Sequence, residues 1–234
     1  MAVSAIINRK SYAELAMGFD LPNLGGHWPF DGTYTDAGPG GNTAEVVSGT
    51  PTFTDGLIDS SSGAVLTDPS NYLKIPHNNS LNLATGSIAI SFWAKCTASA
   101  GGYWLAKKVG TTSAAYPGWY LYNVSATLST FLIANGTYRS YAATSSELNS
   151  DALQHHWLIG IDRVAGRHVW YRDAVRVVYA TGSDHSVAEV TGDCSNTSDT
   201  YIKGCATMNM DELTIYQAAP TQALADALYL NGVN

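Results

Sequence analysis

Apolar and polar residues alternate along most of this chain with a period of two, in short runs. In Ser87-Ile-Ala-Ile-Ser-Phe-Trp-Ala-Lys95, Ile88, Ile90 and Phe92 fall on one side and Ser87, Ala89, Ser91 and Trp93 on the other. That is the pattern of a central strand with one core-facing row. Trp157, Ile159 and Ile161 alternate in the same way, so 156–162 is expected to lie beside it. Further strands are predicted at 26–30, 72–75, 103–107, 119–123, 127–134, 138–143, 157–163, 167–172, 175–181 and 210–216, separated by clusters of Gly, Pro, Asn, Asp and Ser. Residues 167–179 read as a hairpin turning at Arg172-Asp173-Ala174, without the glycine such turns favour. Helical periodicity is confined to the two ends. Ser11 to Gly18 can make about two turns of helix before Pro22 and the Gly25-Gly26 pair break the chain, and Thr221 to Leu230 places Leu224, Ala225 and Leu228 on one face after Pro220.

This pattern predicts an all-β fold, a two-sheet antiparallel jelly-roll sandwich, with a short N-terminal arm at 1–24 and one domain at 25–234 that ends in a short helix. A chain of 234 residues suits one large sandwich and can bury roughly 70% of its unfolded surface, enough for a core without metal or disulfide support. Charged residues make up only 13%, which fits strands and turns better than surface helices. A formal net charge of −7 without a basic run argues against nucleic acid, and no apolar run reaches the ~18 residues of a membrane span. The first residues lack the order of a secretory signal, so folding in a cytosol is expected. Cys96, Cys194 and Cys205 are expected to be buried or free thiols, although Cys194 and Cys205 flank a segment that a disulfide could close.

Several strings, taken in order, resemble the laminin-G-like, pentraxin-like modules of the concanavalin A-like lectin and glucanase superfamily. They are Gly26-His-Trp-Pro-Phe-Asp-Gly32, Asn71-Tyr-Leu-Lys-Ile-Pro76 with Ser80-Leu-Asn-Leu83, Gly86 to Lys95, Gly118-Trp-Tyr-Leu121, His155-His-Trp157, Val169-Trp-Tyr-Arg-Asp173 and Met210-Asp-Glu-Leu-Thr-Ile-Tyr216. The resemblance covers about 25–231 and departs from the family at Ala64 to Ser70, where a Phe-Asp-Gly turn often stands, and at Ala174, where the hairpin often has glycine. It implies the sandwich and leaves function open, because one fold hosts many activities. It also implies a structural calcium, with Asp31 and Asp211 in the positions of the family's calcium aspartates and Asp36 and Asn42 as helpers. The alternative for Asp31 is a turn cap, and for Asp211 a solvated strand end.

Catalysis is disfavoured. The five glutamates form no ladder of paired carboxylates, Asp211 and Glu212 point to opposite sides of a strand, and no Gly-x-Ser-x-Gly is present. His155 and His156 diverge in the same way, and one is expected to be a core or edge histidine with a satisfied hydrogen bond. Glycan or partner binding would use exposed aromatic rings, for which Tyr103, Trp104, Tyr116, Trp119 and Tyr138 are the candidates, core packing being the competing role for the tryptophans.

The stand-alone module and its arm lead to the expectation of a bacteriophage virion protein. It would be a capsid decoration or head or tail fibre component, assembled in the host cytoplasm and oligomeric. Its partners would be the major capsid protein or tail proteins, held through Ile6, Ile7, Tyr12, Leu15 and Phe19 of the arm. The alternatives are a calcium-dependent lectin for host-surface polysaccharide and, less favoured, a glycoside hydrolase.

Overall fold

The computed structural model describes residues 24–58, 63–96, 102–108, 117–125, 128–135, 137–144, 153–177, 192–204 and 207–233. The arm, with Ile6, Ile7, Tyr12, Leu15 and Phe19 and the helix expected at 11–18, lies outside them.

Two antiparallel sheets face each other. The first holds β1 (Leu24–Trp28), β3 (Thr52–Thr54), β4 (Ala64–Thr67), β6 (Ile88–Cys96), β11 (Gln154–Asp162), β12 (Arg167–Arg172), β13 (Val175–Arg176) and β15 (Met208–Tyr216). Its order is β13-β12-β11-β6-β15-β4-β3, with β1 also on β15. The second holds β2 (Glu45–Ser48), β5 (Tyr72–Ile75), β7 (Gly102–Lys108), β8 (Gly118–Ser125), β9 (Leu128–Asn135), β10 (Thr137–Thr144) and β14 (Thr200–Ile202), ordered β10-β9-β8-β7-β14-β5-β2. The expected pairing of β6 with β11 is present, with Trp157 opposite Phe92 and Ile159 opposite Ile90.

The inward rows make one core. Ile88, Ile90 and Phe92 meet Trp157, Ile159, Trp170, Leu213 and Ile215 from the first sheet and Leu73, Ile75, Trp104, Trp119, Leu121 and Ile202 from the second. At roughly 1.5–3 kcal/mol for each large side chain removed from water, this core is the main source of stability.

β6 is buried on both sides, contrary to the single core-facing row expected from its sequence. The reason is the C-terminal helix α1 (Gln222–Val233), which lies on the outer face of the first sheet. Thr221 caps it, its hydroxyl accepting from the Leu224 amide at 3.2 Å. Leu224, Ala225 and Leu228 pack on Ala89, Leu158, Val169 and Tyr216, while Tyr229 stacks on Trp93 with ring centroids 5.7 Å apart. Gly232 permits this seat, because a Cβ there would come within 2.4 Å of the Trp93 ring. Among the described residues no helix is long and apolar enough to cross a membrane.

β1 begins two residues earlier than expected and takes in Gly25, which the local pattern reads as a breaker. Glycine is needed at 25 because a Cβ would meet the Ser80 carbonyl oxygen at 2.4 Å, so the residue allows close approach inside a strand. Strands β2, β3, β4 and β14 are absent from the sequence expectation. Each is three or four residues long, too short for alternation to show. Where the sequence departs from a Phe-Asp-Gly turn, β4 runs to Thr67 and Asp68 makes the turn instead, its carboxylate accepting from the amides of Ser70 at 2.7 Å and Asn71 at 3.0 Å. Of the cysteines, Cys96 is buried, Cys194 is a buried free thiol, and Cys205 lies outside the described residues.

The hairpin between β12 and β13 turns on Asp173 (φ 49°) and Ala174 (φ 63°). Both centres are left-handed, the geometry for which Asn-Gly and Asp-Gly are favoured. Asp173 tolerates it and is held by its own amide on the His156 carbonyl at 2.9 Å, whereas Ala174 bears a Cβ penalty of about 1 kcal/mol. Ala174→Gly is therefore expected to raise the thermal midpoint by about 2–4 °C; an unchanged or lower midpoint in calorimetry would show that the strain is not there.

Candidate functional site

With α1 over the first sheet, the outer face of the second is, among the described residues, the broad strand surface that no helix covers. Its chemistry follows from alternation. In Trp119-Tyr-Leu-Tyr122, Trp119 and Leu121 enter the core while Tyr120 and Tyr122 lie on the other side of the sheet, where Tyr103, Ala106 and Tyr122 pack against Tyr120 and leave it buried. Register carries the outward row across the sheet: Lys74 stands opposite Tyr201, Tyr201 opposite Ala106, Ala106 opposite Tyr120, and Tyr103 opposite Tyr122. A bulge between Tyr103 and Leu105 lets Trp104 and Leu105 both reach the core while Tyr103 stays outside.

The result is a tyrosine surface. Tyr103 lies 5.0 Å from Tyr122 and 5.3 Å edge-on to Tyr120, and the Tyr72 and Tyr201 rings lie 6.4 Å apart. Burial raises the Tyr103 phenol above its ordinary range, with Tyr122 adding to the effect, so it stays a neutral donor and acceptor in ordinary buffers. Charge sits at the margin. Lys203 lies 4.8 Å over the Tyr72 ring, and Lys74 bridges Asp199 at 3.0 Å and Glu45 at 3.6 Å.

The sequence candidates therefore divide. Tyr103 is on this face and half-buried. Trp104 and Trp119 are core residues, 1% and 0% exposed, so neither presents a ring face to a ligand. Tyr116 lies outside the described residues, as does the side chain of Tyr138, whose backbone pairs with Ala134 in β10. Sequence reasoning misses Tyr72, Tyr120, Tyr122 and Tyr201. The signal that finds two of them is the alternation of β8: once Trp119 is assigned inward, its neighbours Tyr120 and Tyr122 must face outward.

The remaining polar groups brace the fold. Asp36 accepts three backbone amides, from His27 at 2.8 Å, Gly38 at 2.7 Å and Asn42 at 2.8 Å, so it organises its loop, and the Asn42 side chain turns to Gly25 and Ser80. Asp31 accepts from the Gly63 amide at 3.1 Å. Asp211 is buried and accepts from the Leu57 amide at 2.9 Å, so it is not the solvated strand end that stood as the alternative to calcium. Among the described residues, no three His, Cys, Asp or Glu side chains gather into a metal site. Glu212, left-handed at φ 52° in a bulge of β15, contacts His27 at 2.6 Å. Lys107, buried at the end of β7, donates to the Ser198 carbonyl at 2.7 Å, and burial lowers its ammonium to about 8 against the pull of Asp199.

No family model matches the chain, and no curated protein matches it in sequence. Solved structures do match. The binding domain of Paraclostridial Mosquitocidal Protein 1 superposes with a TM-score of 0.69 at 15% identity, over 88% of this chain and 52% of that one. The binding domain of Botulinum neurotoxin DC, solved in complex with rat synaptotagmin II and separately with SialylT, superposes at 0.65 and 15% identity, over 89% of this chain and 51% of that one. The chain has the β-sandwich fold of botulinum-neurotoxin-type binding domains. It spans about half their length, and at this identity the likeness establishes the fold alone.

The histidine pair behaves as two edge and core groups. His155 contacts Asp173 through Nδ1 and Arg172 through Nε2, each at 2.6 Å. His156 is wholly buried beside Trp93, with Nε2 2.8 Å from the Ser91 hydroxyl, and burial lowers it to about 3. An unfolded imidazole titrates near 6.5, so between about pH 6.5 and 3 only the unfolded chain takes this proton and stability falls as pH drops through that window. Unfolding free energies from urea titrations are expected to fall more steeply for the native chain than for His156→Gln between pH 6.5 and 4.5, by roughly 2–3 kcal/mol. Parallel curves would remove this histidine as the cause.

Proposed function

We propose that this chain is a non-catalytic binding module that holds a glycan surface against the tyrosine face of its second sheet, and that it serves as a decoration or fibre component of a bacteriophage virion. The observation that carries the binding half is the pair Tyr103 and Tyr122, packed over the buried Tyr120, with Tyr72 and Tyr201 further along the same face and, among the described residues, charge only at its margin. Phenol rings offer flat apolar faces to the C–H side of a pyranose and hydroxyls to its rim, at a small entropic cost for two-torsion side chains. The same surface chemistry suits a protein partner. The fold supports this reading because its structural neighbours are described as binding domains, one of them seen with a protein and with SialylT.

The virion half follows from the sequence: a laminin-G-like module with an arm whose Ile6, Ile7, Tyr12, Leu15 and Phe19 would dock on a capsid or tail neighbour. A structural calcium at Asp31 and Asp211 belongs to the same proposal as the lectin-type alternative.

On a glycan array, the chain is expected to retain a subset of polysaccharides, and the double variant Tyr103→Ala with Tyr122→Ala to lose at least tenfold in affinity with an unchanged melting curve. No retention with or without chelator would remove the glycan reading, while loss on chelation alone would support the calcium-dependent form. For the virion role, a chain lacking residues 1–24 is expected to fold but to fail to join particles. Attachment equal to that of the full chain would sink the anchoring role.

A further inference from the structure

A cavity of about 430 Å³ with mixed polar and apolar walls opens between loops of the sandwich, and none of the tyrosines lines it. Its walls come from the connection between β5 and β6, from Ser195 ahead of β14, and from Gln217 just past β15. The volume lies within the range of small-molecule sites.

Among the described residues, no charged side chain lines it. Asn79, Asn82, Ser87, Ser195 and Gln217 supply amides and hydroxyls, and Leu83, Ala84 and Gly86 give an apolar patch. Neutral groups of this kind donate and accept with equal ease but cannot offset the cost of desolvating an ion, so the lining selects an uncharged ligand rich in hydroxyls.

The lining is also held in place. Gln217 donates through Nε2 to the carbonyls of Asn79 at 3.3 Å, Ser80 at 2.9 Å and Asn82 at 3.2 Å, which fixes its side chain in the cavity wall. Asn82 accepts from the Asn196 amide at 3.3 Å, and the Ser87 hydroxyl accepts from the Arg163 amide at 3.0 Å, keeping its own proton to donate. Ala84 sits at φ 46°, and its carbonyl is fixed by the Cys194 amide at 2.9 Å and by Arg163 at 3.2 Å. A left-handed alanine held from both sides keeps the loop from relaxing and preserves the cavity, a local strain of the kind that marks ligand sites.

We infer that this cavity binds a single neutral pyranose. The inference stands on the cavity's own lining and is independent of the tyrosine face.

Gly86 supplies the means to test it. A Cβ there would meet only the Leu83 carbonyl oxygen at an ordinary 3.8 Å, and the residue is exposed at the cavity, so a larger side chain fits the backbone and fills the space. Amide chemical shifts of the full chain are followed by NMR during titration with galactose and N-acetylglucosamine, and with gluconate as the charged comparison. At least one neutral sugar is expected to shift the amides of residues 79–87, 195 and 217, and gluconate to leave them unmoved. Gly86→Leu is expected to weaken that binding at least tenfold with an unchanged melting curve. The double variant Tyr103→Ala with Tyr122→Ala is expected to leave these shifts intact, which separates this site from the glycan-binding face. The inference is overturned if neither sugar moves these amides, if gluconate moves them equally, or if folded Gly86→Leu binds as the native chain does. Should Gly86→Leu not fold, Ser195→Ala serves in its place, with a threefold or greater loss expected and none contradicting the site.

Discussion

The structure depends on β15 being paired along both edges. Met208 to Tyr216 runs beside β6 on one side and meets β4 and then β1 on the other, with the bulge at Asp211 to Thr214 falling where those two partners change over. Glu212 takes a left-handed backbone there, and its carboxylate contacts His27 of β1. That contact and the Asp211 carboxylate on the Leu57 amide tie the opening strand and the segment at 57–58 to the final one. Because β15 leads directly into α1, the same strand delivers the helix to the outer face of the first sheet. Among the described residues this helix covers the first sheet, and the outer face of the second carries the tyrosines on which the binding proposal rests.

Most of this frame is legible in the residues. Alternation locates the long inner strands and their pairing, because a period of two sustained over eight or nine residues fits a strand and clashes with the 3.6-residue turn of a helix. The helix is visible from Pro220, Thr221 and the Leu224, Ala225, Leu228 face. What stays hidden are short strands such as β3 and β14, whose place is decided by partners distant in sequence, and the double burial of β6, since Ala89, Ser91 and Trp93 read as a solvent row until a helix covers them. Gly25 misleads for the same reason: it lacks a side chain to admit Ser80, a tertiary cause that local reading takes for a breaker.

The candidate site is partly legible. Tyr103 stands out in the sequence, but together with Trp104 and Trp119, which the core claims, while Tyr120, Tyr122, Tyr72 and Tyr201 do not. A tryptophan attracts attention as a binding residue, yet five of them, Trp28, Trp104, Trp119, Trp157 and Trp170, are fully buried here. Their volume fills the space between the sheets, whereas Tyr72, Tyr103, Tyr122 and Tyr201 stay only partly buried on the outer face of the second sheet. The same logic explains the histidines: His155 and His156, adjacent in one strand, go one to an edge network and one under the helix, so neither meets the other. Likeness to botulinum-neurotoxin-type binding domains establishes the fold alone, so the chemistry of the surface must be argued from these tyrosines.

The most direct test of that surface is NMR of the full chain with tyrosine and tryptophan rings isotopically labelled, recorded as an array-selected oligosaccharide is added. The ring signals of Tyr103 and Tyr122, with those of Tyr72 and Tyr201 following, are expected to move together and saturably while the signals of the core tryptophans stay in place. Saturable binding that leaves those four tyrosines unmoved would contradict the account, because the ligand would then be held somewhere other than this face.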